Sequence, residues 1–402
     1  MKPSLAGRNI QLHLLIQFNF LRLFAAADCG QAEQMTQLIP PPLLAKANKI
    51  LFVTHLAIGD FTYMQMCFRA LKRAYPHLEI HLWVDERRRS DNPADWPRLK
   101  NYSLYNWLAA CPWIDRIYDQ TYSPALYAQS IAEAQREAYP IVLALTHMAC
   151  HRYARLTRKI SARGFIVGLT KQKYRFFELS KKLSILKFDA TIPLYESQER
   201  NVPHVSDIYA QWFGSAFGID IPRPERYPDI LIPDQWTHYA RDQFASWQLP
   251  PQTVFINAYA KGPERCWPLE RAFELIRGMR AHPQWRNAGF IVNAVPEDLP
   301  HARALHAREA LPDTHLFSAV DNFFQLPAVL GLCCLAITVE TAVMHLANAM
   351  HVPVIALMRR NNPEWMPIDR ENSVVVLAGE MDASVAQIGL REVMETVLSW
   401  SL

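Results

Sequence analysis

Thr338-Val-Glu340-Thr341-Ala342-Val-Met-His345-Leu-Ala-Asn-Ala-Met350-His-Val-Pro-Val-Ile-Ala-Leu357 reads as the end of a strand, a turn, a helix and a second strand in close succession. Thr341 stands where a helix N-cap belongs. The free amides of such a helix start, with its partial positive charge, form a site for phosphate. His345 lies one turn further in and is placed to add a donor, although a histidine there is more often an ordinary core or capped residue. Glu340 faces the same mouth and is placed to accept hydrogen bonds from a ligand's hydroxyls.

The pattern around this unit repeats its logic. Short apolar, β-rich runs recur at Ile50–Leu56, Ile80–Val84, Ile141–Leu145 and Phe165–Leu169, and again at Val254–Ala258, Phe290–Val295, Cys334–Val339, Val352–Leu357 and Val374–Leu377. Helix-like segments intervene, among them Tyr63–Ala74, Leu269–His282 and Ala342–Met350. Continuous apolar strands alternating with helices predict parallel sheets covered on both faces. Two clusters of strands predict two sheets. Between them, Ile221–Pro251 is polar and carries Pro222, Pro224, Pro228, Pro233, Pro250 and Pro251, which marks a boundary. The expected organisation is an N-terminal extension over 1–45, an α/β domain over 46–225, a linker over 226–250 and a second α/β domain over 251–402.

Composition excludes several classes. The chain has 402 residues, half hydrophobic and 20% charged, enough for a large core and incompatible with wholesale disorder. A net charge of +4 gives no ground for a nucleic-acid ligand. The seven cysteines, at 29, 67, 111, 150, 266, 333 and 334, include no Cys-x-x-Cys pair and read as thiols of a reducing compartment, not a zinc site or a disulfide framework. Ile10–Ala27 is apolar but interrupted by Gln11, His13, Gln17, Asn19 and Arg22. It falls short of the ~18–20 apolar residues of a spanning helix. An amphipathic helix is expected there, in preference to a signal peptide whose apolar region those residues would weaken.

Charge is uneven. From Arg152 to Lys187 there are eleven Lys/Arg against Glu178 alone, interleaved with Tyr174, Phe176 and Phe177. A solvated face explains most such runs; here the excess equally suits an anionic acceptor or an acidic membrane surface, with Lys181 and Lys182 as candidate contacts.

Two more segments carry chemistry. Ile50-Leu-Phe-Val-Thr-His-Leu-Ala-Ile-Gly59-Asp60-Phe61 leads a strand into a turn and a helix. Asp60 at its start is either a helix cap or, at the mouth of a doubly wound domain, a base for an attacking hydroxyl. Asn257-Ala-Tyr-Ala-Lys261-Gly-Pro-Glu-Arg265-Cys-Trp267-Pro268 ends a strand with a loop bearing two cations. Lys261 and Arg265 there can neutralise a leaving diphosphate, although Lys261 also fits ordinary surface charge. Phosphate-loop, dinucleotide-fingerprint, zinc-protease and serine-hydrolase motifs are absent, as is an Asp-x-Asp metal clamp.

Together the segments resemble the ADP-heptose:lipopolysaccharide heptosyltransferases of glycosyltransferase family 9, over roughly Lys49–Leu398. Ile58-Gly59-Asp60 is similar to that family's N-terminal motif, Arg265-Cys-Trp267-Pro268 to its Lys-x-Trp-Pro motif, and Glu340-Thr341-Ala342-Val-Met-His345-Leu-Ala to its Asp-Thr-Gly-x-x-His-Leu signature. Glu340, Ala342 and Arg265 depart from that pattern, where Asp, Gly and Lys are usual; the charge is kept at 340 and 265, and the added methyl group of Ala342 is expected to narrow the phosphate-binding turn.

The resemblance implies a glycosyltransferase B fold, two doubly wound Rossmann-like α/β domains facing across a cleft, with acceptor bound by the first and nucleotide-sugar donor by the second. It implies an inverting transfer of a heptose from an ADP-heptose-like donor to an anionic lipopolysaccharide-type glycolipid, without metal or other cofactor. Asp60 would be the base. Lys261, Arg265, Glu340, Thr341, Ala342 and His345 would hold the diphosphate and sugar. Glu297 or Asp298, after the second strand of the C-terminal half, would meet the nucleoside. A cytoplasmic enzyme is expected, with peripheral contact at the inner membrane's cytoplasmic face and no nucleic-acid partner. A sugar-nucleotide epimerase or hydrolase of the same fold, and a non-catalytic carbohydrate-binding relative, are the rival expectations.

Overall fold

The computed structural model describes residues 37–171, 178–195 and 202–400. The amphipathic helix expected at Ile10–Ala27 lies outside them. Two six-stranded sheets are present, both wholly parallel. The first comprises β1 (Lys49–Thr54), β2 (Glu79–Val84), β3 (Arg116–Tyr118), β4 (Ile141–Ala144), β5 (Phe165–Thr170) and β6 (Ala190–Pro193), ordered β3-β2-β1-β4-β5-β6. The second comprises β7 (Thr253–Asn257), β8 (Gly289–Asn293), β9 (Thr314–Phe317), β10 (Leu335–Val339), β11 (Val354–Met358) and β12 (Ser373–Leu377), ordered β12-β11-β10-β7-β8-β9. The two-domain Rossmann-like α/β fold expected from the sequence is therefore present.

Nine strands coincide with the apolar runs. The other three, β3, β6 and β9, have only three or four residues and lie at sheet edges. With one neighbour each and partly exposed side chains, they need no continuous apolar run. Central strands do: β4, β7, β8, β10 and β11 are buried at every position.

Strand alternation divides the second half's core in two. Val254, Ile256, Leu335, Ile337, Ile355 and Leu357 turn to one apolar cluster, which also holds Phe273, Ile276 and Val393. Phe255, Ile291, Ala336, Val354 and Met358 turn to another, which is continuous with the first half's core. In that core Phe52 of β1 packs on Phe68 and Phe213, with centroids 5.0 and 5.6 Å apart. Full burial of such a ring contributes about 1.5–3 kcal/mol. This cluster ties β1 to the helices Ile58–Ala74 and Val205–Phe217.

The stretch expected as a linker contains a helix, Asp234–Ser246, which packs against the helix Gln325–Leu330. The two halves also touch directly. Helix Ile58–Ala74 packs on helix Ala342–Ala349, and Trp107 stacks on Phe323 at 4.6 Å. No described helix is long and apolar enough to cross a membrane.

Candidate active site

In each sheet the strand order reverses once, between β1 and β4 and between β7 and β10. Open α/β sheets hold ligands in the crevice beyond the strand ends at such a point. The segments bearing Asp60, Lys261 and Arg265, and Glu340 to His345 each follow a strand that flanks one of these reversals, β1, β7 and β10, whereas Glu297 and Asp298 follow β8, one strand further out.

At the first, the Thr54 hydroxyl donates to Leu145 O at 2.8 Å and fastens the end of β1 to that of β4. The helix then begins at Ile58, with Ala57 as N-cap. Asp60 is consequently the third helical residue and not the cap. Its Oδ2 accepts the Ala57 amide at 2.9 Å, and its Oδ1 accepts the Tyr209 hydroxyl at 2.7 Å. Tyr209 comes from helix Val205–Phe217. Burial first, and the Asp60 charge second, push its phenol well above the usual range, so it stays a donor. From the third helical position Asp60 thus closes a hydrogen bond back to the Ala57 amide and is held in one orientation while keeping part of its surface exposed.

At the second, buried amides and a hydroxyl tie three strand ends together. Asn293 donates to Asn257 at 2.8 Å, and Asn257 donates to Thr338 at 3.1 Å. The loop after β7 is pinned by Cys266, whose thiol donates to Ala260 O at 3.3 Å, and by buried Trp267, whose Nε1 donates to Ile388 O at 3.0 Å. Trp267 is thereby an anchor. Arg265 is left 44% exposed, its Nε 3.4 Å from Glu264 and 3.7 Å from Glu340. Lys261 is exposed.

Helix Ala342–Ala349 starts after β10 with Thr341 as N-cap, but the threonine side chain makes no capping bond. The amides of Ala342 and Val343 have no intrahelical acceptor, whereas that of Met344 donates to Thr341 O at 3.1 Å. Ala342 is half-buried. Glu340 does not lie open for hydroxyls as expected. Its carboxylate is 5% exposed; Oε2 accepts the Arg359 amide at 3.1 Å and Oε1 accepts Arg359 Nε. Glu297 and Asp298 are exposed in a short turn after β8.

His345 closes the junction between the halves. Its Nδ1 and the Tyr63 hydroxyl are 2.7 Å apart, a hydrogen bond between the two packed helices. Tyr63 also meets the His204 ring edge-on at 4.9 Å, and His204 Nε2 lies 3.0 Å from Met366 O. A β-carbon on Gly59 would stand 3.7 Å from both His345 and Trp365, so the Gly59-Asp60 turn lies against the signature helix. Burial lowers His345 to about 3 and His204 to about 4. Among these neighbours His345 is therefore neutral at pH 7.

The basic run is divided. Arg158 pairs with Asp189 and Lys181 with Glu178, both at 2.7 Å. Arg152, Arg155, Lys159, Lys171, Lys182 and Lys187 are exposed. Beside them Leu179, Leu183 and Leu186 are 59%, 57% and 73% exposed. Their spacing puts them on one side of helix Leu179–Ile185 and its cap.

Four residues escaped sequence reasoning: Tyr63, His204, Tyr209 and Arg359. Only Arg359 carries a signal, since Arg359-Arg360 are cations at a strand's end, as Lys261 and Arg265 are. Among the described residues six cysteines are free, and no three His, Cys, Asp or Glu side chains are grouped to hold a metal ion.

A family model for glycosyltransferase family 9 (heptosyltransferase) matches residues 153–388, more than half the chain. No curated protein sequence matches it. Among solved structures, a family 9 glycosyl transferase from Veillonella parvula is similar at 18% identity and a TM-score of 0.64, covering 88% of this chain and 96% of that one. E. coli ADP-heptose lps heptosyltransferase II is similar at 17% and 0.63, covering 87% and 98%. E. coli heptosyltransferase WaaC, solved with ADP-2-deoxy-2-fluoro heptose, is similar at 17% and 0.57, covering 87% and 99%. At these identities the structural likeness establishes the fold.

Proposed function

The chain belongs to glycosyltransferase family 9, the heptosyltransferases, and from that premise we propose that it transfers a sugar, a heptose, from a nucleoside-diphosphate donor to an anionic glycolipid with inversion. The observation that carries this reading is the juxtaposition of two helix starts across the halves. One bears Asp60 and the other has its first amides free. An acceptor hydroxyl between them loses its proton to Asp60 as its oxygen bonds to the anomeric carbon. The bond from that carbon to the diphosphate breaks on the opposite face. The leaving diphosphate is taken by the amides after Thr341 and by Arg265 and Lys261. Those charges act where the diphosphate's charge develops, and the reading holds metal dispensable. WaaC, solved with ADP and with ADP-2-deoxy-2-fluoro heptose, supports an ADP-linked donor, with Glu297 or Asp298 on the nucleoside.

Calorimetric titration with ADP-, UDP- and GDP-linked sugars, then turnover on a lipopolysaccharide-core acceptor with and without EDTA, tests the proposal. Donor-dependent product of inverted anomeric configuration, unaffected by EDTA, is expected. Free sugar released without acceptor would instead make it a hydrolase or epimerase, and donor binding without turnover a carbohydrate-binding relative.

Two further expectations belong here. Losing one charge-assisted hydrogen bond to phosphate costs about 1.5–3 kcal/mol. Arg265→Ala is therefore expected to weaken nucleoside-diphosphate binding roughly ten- to a hundred-fold at unchanged melting temperature, and unchanged affinity would remove Arg265 from the site. The exposed cations beside Leu179, Leu183 and Leu186 suit an anionic glycolipid at a membrane surface. Raising salt from roughly 50 to 300 mM shortens the Debye length from about 14 to 6 Å and is expected to raise the acceptor KM more than the donor KM. Lys182→Glu should do the same at low salt. Equal salt sensitivity of both substrates would leave the segment a solvated face.

A further inference from the structure

Arg359 immediately follows β11, and the pairing of β10 with β11 (Ala336 with Val354 through Val339 with Leu357) brings it level with Thr341, the N-cap of helix Ala342–Ala349. Its backbone amide and Nε take both oxygens of Glu340. Arg265 approaches the same carboxylate from the loop after β7, with Nε 3.7 Å from Oε1. Two guanidiniums from two loops thus share one nearly buried carboxylate beside a helix start whose first amides are free. The nearest further anion, Glu264, is 45% exposed and 3.9 Å from Arg359 Nη1. Nη2 lies 3.0 Å from the Asn362 amide, oriented to present its oxygen. Arg360, by contrast, turns its Nε to Ala378 O at 2.8 Å and Gly379 O at 3.1 Å, so only the first of the two adjacent arginines faces this cluster.

A guanidinium has five N–H donors in a planar fork. With Nε on Glu340, Nη1 of Arg359 has the half-exposed Glu264 carboxylate at 3.9 Å, beyond hydrogen-bond distance, and the side chain keeps 12% exposure. Glu340 is the buried partner of both cations, whereas the second carboxylate, Glu264, is 45% exposed and stands off at 3.4 Å from Arg265 and 3.9 Å from Arg359, so a ligand anion can take its place beside the positive potential of the helix start. An anion with two charged oxygen groups completes such an arrangement, and Arg is the residue suited to hold it bidentately.

We infer that Arg359 is a donor-binding residue, taking the nucleoside diphosphate together with Arg265, and that Glu340 is a positioning residue that holds the two guanidiniums in place and does not bind the sugar. This rests on the donor site proposed above. It reassigns the motif's acidic residue from sugar recognition to the support of phosphate recognition, and it gives an unread arginine the direct contact.

The test must separate ligand contact from mere compensation of a buried carboxylate, because removing Arg359 alone leaves Glu340 buried without its partner. The double variant Glu340→Gln/Arg359→Met removes both charges at similar volume. Calorimetry on the full chain compares ADP, UDP and GDP, then the best-bound of these with its free nucleoside. The inference expects a ten- to hundred-fold weaker diphosphate in the double variant, with nucleoside affinity within two-fold of wild type. If Arg359 serves only to neutralise Glu340, the single variant Arg359→Met is weakened and the double variant recovers wild-type affinity, which overturns the inference. Arg359→Lys keeps a charge for Glu340 but cannot span both groups. It should weaken the diphosphate at least five-fold, and no change would also overturn the inference, even if the double variant fails to fold. Wild-type chain that binds none of the three diphosphates overturns the functional reading together with this one. Diphosphate binding that is indifferent to these variants overturns this one alone.

Discussion

Asp60→Asn is expected to lower turnover by about 10²–10⁴-fold, the usual effect of removing a general base, while nucleoside-diphosphate affinity stays near wild type. Asparagine keeps the size and one oxygen. It can still accept the Ala57 amide or the Tyr209 hydroxyl that Asp60 accepts at 2.9 and 2.7 Å. What it loses is proton affinity and the favourable placement of negative charge at a helix start, worth about 0.3–1 kcal/mol. A purely capping Asp60 predicts the opposite pattern: Asp60→Ala destabilised by about 1 kcal/mol or more, with full activity in the folded fraction. Tyr209→Phe supplies a second test. It leaves the carboxylate in place but removes the bond that orients it, and is expected to lower kcat about ten-fold, equivalent to about 1.4 kcal/mol, without changing donor affinity. Melting temperature, turnover and nucleotide binding measured on all three variants separate these patterns. Near-normal turnover in folded Asp60→Asn would falsify the base assignment.

Acidification from pH 7 to 5 is expected to destabilise the fold by about 4 kcal/mol through two histidines alone. His345 is lowered to about 3 by burial, with a smaller contribution from His204. His204 is lowered to about 4, first by burial. Met366 O and Asp207 oppose that shift, and Arg370 and Arg223 add to it. Both rings are therefore neutral in the fold, whereas in the unfolded chain they bind protons below about pH 6.5. The unfolded state then holds more protons, so stability rises with pH between the folded and unfolded values and falls on acidification. Each histidine loses about 1.5 units by pH 5, or about 2 kcal/mol at 1.36 kcal/mol per unit. Both sit where the halves meet, through Tyr63 and Met366. Urea midpoints at pH 7, 6 and 5 measure the loss. His345→Gln should remove about 2 kcal/mol of the loss between pH 7 and 5, and equal losses in wild type and variant would show that His345 already titrates in the native state.

The recognition of a nucleotide-sugar glycosyltransferase rests on short spans around Asp60, Arg265 and Thr341, which are legible because each follows an apolar strand directly. A chain leaving the end of a buried parallel strand must emerge at the same edge of the sheet, so those positions follow from strand assignment alone. Loops carry no such rule. Nothing in the order of residues shows that Glu340 turns to Arg359 or that Tyr209 reaches across to Asp60, 149 positions earlier.

Sequence by itself determined the fold class, the central strands, the doubly wound pattern and the starts of the helices at Leu269 and Ala342. The start of the helix after β1, at Ile58 and not at Asp60, was not among them. Burial on both faces imposes continuous apolar runs, while a helix cap leaves a weaker local trace. Tertiary structure alone decided the short edge strands β3, β6 and β9, the helix within 226–250, the Tyr63–His345 bond between the halves and the partner of each charge at the site. The reason is physical. Periodicity and capping act over a few residues and leave a local trace, whereas a hydrogen bond or ion pair depends on which side chains two distant segments bring within about 3 Å, and only the packing of the sheets and helices sets that distance.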